Sequence, residues 1–271
     1  MNVENKLVVI TGGAGGIGSA LGKLMASRGA KVVVSDLNKD AADKVAESID
    51  GFAVQCDVGD EQSVIALIKS AEEKYNQPID LFCSNAGFAL GEPDTAASAS
   101  NDAWQKNWDV HVMAHVYASR ALLPAMIERG DGYLLNVASA AGLLSQVSDA
   151  AYTATKHAAV AFAESLAICH GDDGIKVSVV CPEYVNTNIL GLSEDKRAEP
   201  MKGVLTPDAC AEVILDGIEN EQFMILPHPD VRQHMQHRSG DSDRWIGGMR
   251  SYRRGMLGDN GKFDFGKLFQ I

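Results

Sequence analysis

The stretch Leu7–Ala20, LVVITGGAGGIGSA, decides the reading of this chain. A short apolar run ends at Thr11, glycines crowd the positions from Gly12 to Gly18, and a helix-like sequence follows. Two glycine fingerprints share these letters. Gly13, Gly15 and Gly18 spell G-x-G-x-x-G, and Thr11, Gly12, Gly16 and Gly18 spell T-G-x-x-x-G-x-G. Either spelling makes a strand-to-helix turn whose helix N-terminus presents backbone N–H groups to an anion. A tight connection made only to steer the backbone uses the same residue type, so the rest of the chain has to decide.

Working outward, short β-rich runs alternate with helical patterns. KLVVIT, KVVVSD, FAVQCD, DLFCSN, YLLNVA, KVSVVC and FMIL read as seven strands, nearly continuous in apolar residues, as parallel strands covered on both faces should be. Between them, Val64, Leu67, Ile68 and Ala71 repeat at helical spacing, and Thr206-Pro207 reads as an N-cap with proline at the first helical position. The alternation predicts right-handed β-α-β crossovers. The expected fold is α/β: a single doubly wound Rossmann-type domain over residues 1–227, with a parallel seven-stranded sheet and helices on both faces. An extension, 228–271, follows. It carries a net charge of +3 against −15 for the remainder, and is expected to dock on its own domain or on a neighbouring subunit.

Composition sets limits on function. A net charge of −12 argues against nucleic acid and anionic membrane as partners, but not against an anionic cofactor held by backbone N–H groups. The five cysteines are odd in number and form no C-x-x-C pair, so neither a disulfide framework nor a metal site is expected. No basic-then-apolar leader and no apolar run of ~18 residues appear, and the reading is a soluble, cytoplasmic protein.

Asp36 closes the second strand 18 residues after Gly18, where an acid accepts hydrogen bonds from the adenosine ribose hydroxyls of a dinucleotide. It repels a 2′-phosphate, and the glycine turn holds no Lys or Arg, so NAD is favoured over NADP; a turn or capping acid is the plainer reading of the same residue. Further on, Tyr152 and Lys156 stand four apart in a strongly helical stretch, which puts phenol and ammonium on one helix face. Ser139 lies just beyond the strand YLLNVA, where turn chemistry alone also uses serine.

Taken in order, TGGAGGIG (Thr11–Gly18), Asp36, CDV (Cys56–Val58), SNAG (Ser84–Gly87), Ser139, YTATK (Tyr152–Lys156) and CPEYVNT (Cys181–Thr187) resemble the compact branch of the short-chain dehydrogenase/reductase family over about residues 5–227. The resemblance selects the spelling through Gly12, Gly16, Ile17 and Gly18. It implies that these residues hold the pyrophosphate of NAD, that Asp57 and Val58 flank the adenine, and that Asn85, Ala86 and Gly87 line the trough beside the ribose. Val185 and Thr187 would meet the nicotinamide end. It further implies hydride transfer between a secondary alcohol and its ketone, with Tyr152 as acid and base, Lys156 on phenol and ribose, Ser139 on the substrate oxygen, and a homodimer or homotetramer as the assembly. Bringing a phenol from near 10 towards neutrality requires ~3–4 kcal/mol of preferential stabilisation of the phenolate.

Two positions depart from the family pattern. His111 stands where an asparagine usually holds a relay water, and is expected either to replace it in proton transfer or to be packed on the sheet. Glu183 replaces the glycine of the usual PG pair, where its carboxylate would repel acidic substrates, attract an amine, or face solvent. Phe88, Leu90, Leu143, Leu144, Val147, Ile189, Leu190 and Leu192 are candidates for an apolar pocket wall or for core. The leading expectation is therefore an NAD-dependent oxidoreductase of a hydrophobic small-molecule alcohol or ketone. The alternatives are an NADPH-linked carbonyl or 3-oxoacyl reductase, and a non-catalytic dinucleotide-binding regulator.

Overall fold

The computed structural model describes residues 1–92, 94–191, 195, 200–264 and 267. Its centre is one parallel sheet of seven strands: β1 Leu7–Thr11, β2 Lys31–Asp36, β3 Phe52–Gln55, β4 Leu81–Ser84, β5 Gly132–Val137, β6 Ile175–Val180 and β7 Met224–Ile225. The spatial order is β3-β2-β1-β4-β5-β6-β7, so the winding direction reverses between β1 and β4. A crevice opens there at the carboxyl ends of the strands, the place where α/β sheets bind ligands.

The strand pattern explains the two layers. Along β1, Leu7 and Val9 enter one core while Val8 and Ile10 enter the other, because successive side chains point to opposite faces. One layer holds α1 Gly16–Ser27, α2 Lys39–Ser48 and α7 Pro207–Glu219. The other holds α3 Glu61–Tyr75, α5 Ala114–Arg129 and α6 Ala150–His170, with Val64, Leu67, Ile68 and Ala71 buried as their spacing predicts. α4, Asn101–Trp108, runs into α5 through a π-helical turn, Asp109–Met113. Observed strands end up to two residues from the expected limits: Cys56 and Asp57 leave the sheet, and β7 spans two residues.

Beyond β7 two helices, α8 Asp230–Gly240 and α9 Ser242–Gly255, return over the carboxyl edge of the sheet. Val231 is fully buried and Trp245 packs against the same core as α5 and α6. Arg238 donates to the carbonyl of Leu143. These contacts seat the segment on its own domain.

One buried bond locks the far end of the sheet. Ser178 Oγ donates to the carbonyl of Gln222 (2.5 Å), so the Tyr133 hydroxyl donates to Ser178 Oγ (2.6 Å). Both side chains are at most 1% exposed. Tyr133→Phe leaves that serine lone pair without its donor, and should cost about 1–2 kcal/mol. A urea midpoint equal to that of the unaltered chain would refute this account.

Candidate active site

The glycine turn forms at the carboxyl end of β1. Gly12 has φ +62°, a left-handed conformation, and a Cβ at Gly18 would lie 2.4 Å from the Gly12 carbonyl oxygen. Thr11 and Asn85 brace the turn. Thr11 Oγ1 accepts from the backbone N–H groups of Asn85 (3.0 Å) and Ala86 (3.2 Å), while Asn85 Nδ2 donates to the carbonyls of Thr11 (2.8 Å) and Gly12 (3.2 Å). The Asn85 amide thus ties β4 to the turn rather than projecting away from it.

A dinucleotide fits this arrangement. α1 begins at Gly16 without a side-chain cap and without an acid in its first turn, and a Cβ at Gly15 would meet no atom within 4 Å. An uncapped helix end facing open space offers its N–H groups to a phosphate. Asp36 accepts from Ala14 N (3.1 Å) and Asn38 N (3.0 Å), one bond on each oxygen, and a carboxylate has acceptor capacity beyond that. Asp57 and Val58 follow β3, and Thr187 lies over the turn, its Cγ2 only 2.9 Å from a Cβ built at Gly16. Ile17, Ala86 and Val185 lie around the same crevice: Ile17 and Val185 pack with the β1–β2 core, Ala86 with the opposite one.

Ser139, Tyr152 and Lys156 come together on one side of this crevice. Ser139 leads a 3₁₀ turn, Ala140–Gly142, and its Oγ accepts from Ala141 N (3.1 Å). Gly142 lets that turn approach α6 closely, since a Cβ there would sit 2.5 Å from the Lys156 carbonyl oxygen. Asp149 caps α6, its Oδ1 accepting from Tyr152 N (3.2 Å) and its Oδ2 from Gly91 N (3.0 Å). Lys156 is 3% exposed; its Nζ donates to the Val137 carbonyl (3.1 Å) and lies 5.5 Å from the centroid of the Tyr152 ring.

Burial dominates the titration of this group. It pushes the Tyr152 phenol up to about 12, against a hydrogen bond from Ser139 that pulls it down. It pushes Lys156 down to about 8. The protein alone therefore moves the phenol opposite to the lowering that base chemistry requires, because desolvation of the phenolate outweighs the Ser139 hydrogen bond.

His111 sits at the centre of the π-helical turn, fully buried. Its Nε2 accepts from Phe88 N (3.2 Å), which places the ring proton on Nδ1, and Nδ1–H then donates to Thr155 Oγ1 (3.2 Å). Thr155 in turn donates to the carbonyls of Ala151 (2.9 Å) and Tyr152 (3.0 Å). Both ring nitrogens are spent on protein partners. Burial, then the Lys156 charge, pushes the ring down to about 2. Of the two expectations for His111, the geometry matches the packed one: a buried ring with both nitrogens bonded links Phe88 to α6 through Thr155. Its edge meets the Tyr152 ring at 5.3 Å between centroids.

A cavity of about 730 Å³ adjoins Ser139 and Tyr152. Leu90, Leu144, Val147, Ile189 and Leu190 line it. Leu143 instead belongs to the core, Phe88 stacks on His111 at 4.8 Å between centroids, and Leu192 lies outside the described residues. The sequence points to the C-terminal extension as a cover for the site or for a neighbouring subunit, without naming its residues: His234, Trp245, Met249 and Tyr252, from α8 and α9, complete the wall. Sequence reasoning missed Asp149, although an acid just ahead of a helical stretch is a legible N-cap signal.

One turn beyond His111, His115 is 2% exposed, and neither ring nitrogen has a hydrogen-bond partner among the described residues. Burial, then the Lys156 charge, pushes it down to about 3. Both histidines stay neutral in the fold and gain a proton on unfolding below about pH 6.5. The unfolded chain then binds more protons, so stability falls as pH drops below that value, by up to ~1.4 kcal/mol per pH unit for each ring. His115→Leu should raise stability at pH 7 by about 1–2 kcal/mol and flatten this slope. A destabilised variant with an unchanged slope between pH 5 and 7 would overturn the assignment.

A family model described as short chain dehydrogenase matches residues 6–198. Meso-2,3-butanediol dehydrogenase of Serratia marcescens is 35% identical over 192 residues, covering 70% of this chain and 75% of that protein. Cyclohexanol dehydrogenase of Acinetobacter sp. (strain SE19) is 30% identical over 219 residues, covering 78% and 86%. A crystal structure of a short-chain dehydrogenase/reductase from Burkholderia phymatum in complex with NAD superposes with a TM-score of 0.80 at 27% identity, covering 90% of this chain and 96% of that one.

Proposed function

This chain belongs to the short-chain dehydrogenase/reductase family, and from that premise we propose that it is an NAD-dependent enzyme interconverting a hydrophobic secondary alcohol and its ketone. Oxidoreduction at a CH–OH group with a nicotinamide dinucleotide is the activity of the family. The choice of NAD, the apolar substrate and the residue roles are the finer reading. One observation carries it: Ser139, Tyr152 and Lys156 converge between an uncapped helix N-terminus and a cavity with an apolar wall.

When bound, NAD supplies the hydride acceptor and, in its oxidised form, a positive charge beside the phenol. Gly12, Gly16, Ile17 and Gly18 hold the pyrophosphate, and Asp36 holds the adenosine ribose. Ser139 Oγ binds the substrate oxygen and steadies the charge that grows on it. Tyr152 takes the hydroxyl proton in oxidation and returns it in reduction. Lys156 holds the phenolate by its charge and the nicotinamide ribose by a hydrogen bond, which fixes the reacting geometry. His111 and Asp149 keep the first turn of α6 in place, so that the phenol stays aimed into the cavity.

Tyr152→Phe should lower alcohol oxidation by at least about a hundredfold, with NADH affinity little changed. A variant retaining most of its turnover would remove the phenol from the mechanism. Unaltered protein that binds NADH tightly yet oxidises no member of a broad panel of secondary alcohols would favour the regulator instead. Fluorescence titration should show at least a tenfold preference for NADH over NADPH, about 1.4 kcal/mol, and Asp36→Ala should narrow it. A preference for NADPH would favour the carbonyl-reductase reading.

A further inference from the structure

Among the described residues, one carboxylate of the cavity wall is left largely uncompensated, and we infer that Glu183 makes the site select against anionic substrates, so that its alcohol is neutral or amine-bearing. The inference rests on the reading of this cavity as the alcohol site. Glu183 lines the cavity and its side chain is 26% exposed. Its main chain is pinned: Glu183 N donates to His228 Nδ1 at 3.1 Å. With Nδ1 accepting, the His228 proton lies on Nε2 and is donated to the Tyr184 carbonyl at 3.2 Å. Burial pushes His228 down, so this ring is neutral and gives the carboxylate no counter-charge.

Among the described residues the carboxylate has one ion-pair partner, His234 on α8, 3.8 Å from Glu183 Oε1. That exceeds the ~2.7–2.9 Å of a charge-assisted hydrogen bond. The other carboxylate in the wall, Asp149, is already bonded to the N–H groups of Gly91 and Tyr152. Among the described lining residues there is no lysine or arginine. An incoming carboxylate would lose its water against leucine, isoleucine and tryptophan, and would face a like charge with no lysine or arginine among the described lining residues to receive it. An ammonium meets the opposite field, and a neutral ring meets neither cost. Discrimination built from a repulsive group acts on the wrong substrate without needing new contacts to the right one.

The test uses full-length protein, NAD and three ring alcohols: cyclohexanol, cis-4-hydroxycyclohexanecarboxylate and cis-4-aminocyclohexanol. In the unaltered enzyme kcat/KM for the carboxylate should lie at least tenfold below that for cyclohexanol. Glu183→Gln, which keeps side-chain shape and the backbone bond to His228, should raise the carboxylate-to-cyclohexanol ratio about tenfold, equivalent to about 1.4 kcal/mol. It should lower the amine-to-cyclohexanol ratio. Ratios equal to those of the unaltered enzyme would overturn the inference. Calorimetric titration of cyclohexanecarboxylate into NADH-loaded protein reads the same discrimination without turnover. If none of the three alcohols is oxidised, the functional reading fails. A tighter cyclohexanecarboxylate complex in Glu183→Gln then still upholds the charge filter, and an unchanged one removes it. Glu183→Ser provides the same comparison if the glutamine variant does not fold.

Discussion

An ammonium group buried without a carboxylate beside it sets the terms for the rest of this molecule. Lys156 is 3% exposed and has the Val137 carbonyl as its hydrogen-bond acceptor, so its positive charge is held in a low-dielectric setting at the edge of β5. Such a charge is costly, and it is tolerated where neighbouring groups use it. Its field reaches His111 and His115 and helps keep both rings neutral. It lies against the Tyr152 ring, 5.5 Å from the ring centroid. The helix carrying both residues is fixed at its start by Asp149 and through the Phe88–His111–Thr155 chain of hydrogen bonds. These bonds place polar groups around the charge without neutralising it.

That arrangement depends on the sheet. β1, β4 and β5 deliver Thr11, Asn85 and Val137 to one edge, where the order of the strands reverses. Thr11 and Asn85 shape the glycine turn, and Val137 receives the ammonium. The two ends of the crevice are thus built from neighbouring strands, and their separation is set by strand spacing rather than by loop conformation.

The sheet was legible because its strands are short apolar runs separated by helical periods, and each run found its place to within two residues. The glycine turn was legible because a left-handed backbone and a close approach permit little else at Gly12 and Gly18. Tyr152 and Lys156 were legible because four residues on a helix mean one face. What escaped depends on contacts distant in sequence. The role of His111 turns on Phe88 and Thr155, and no local pattern announces that both nitrogens are spent. The sign of the Tyr152 shift depends on how far its surroundings exclude water, which spacing does not encode. The roof residues Trp245, Met249 and Tyr252 lie in a polar, glycine-rich segment whose helices gain their meaning from the core they cover.

The hairpin of α8 and α9 contributes part of the cavity and lies apart in sequence from the glycine turn and from Ser139, Tyr152 and Lys156. Because it comes after the last strand, it supplies no crossover and no register to the sheet, and it reaches the Ser139 turn through the bond of Arg238 to the Leu143 carbonyl. One part of the cavity lining is thus encoded apart from the glycine turn and from Ser139, Tyr152 and Lys156. A graft of this terminal segment between relatives would exchange the cover of the cavity, while Glu183, Ile189 and Leu190 stay with the recipient.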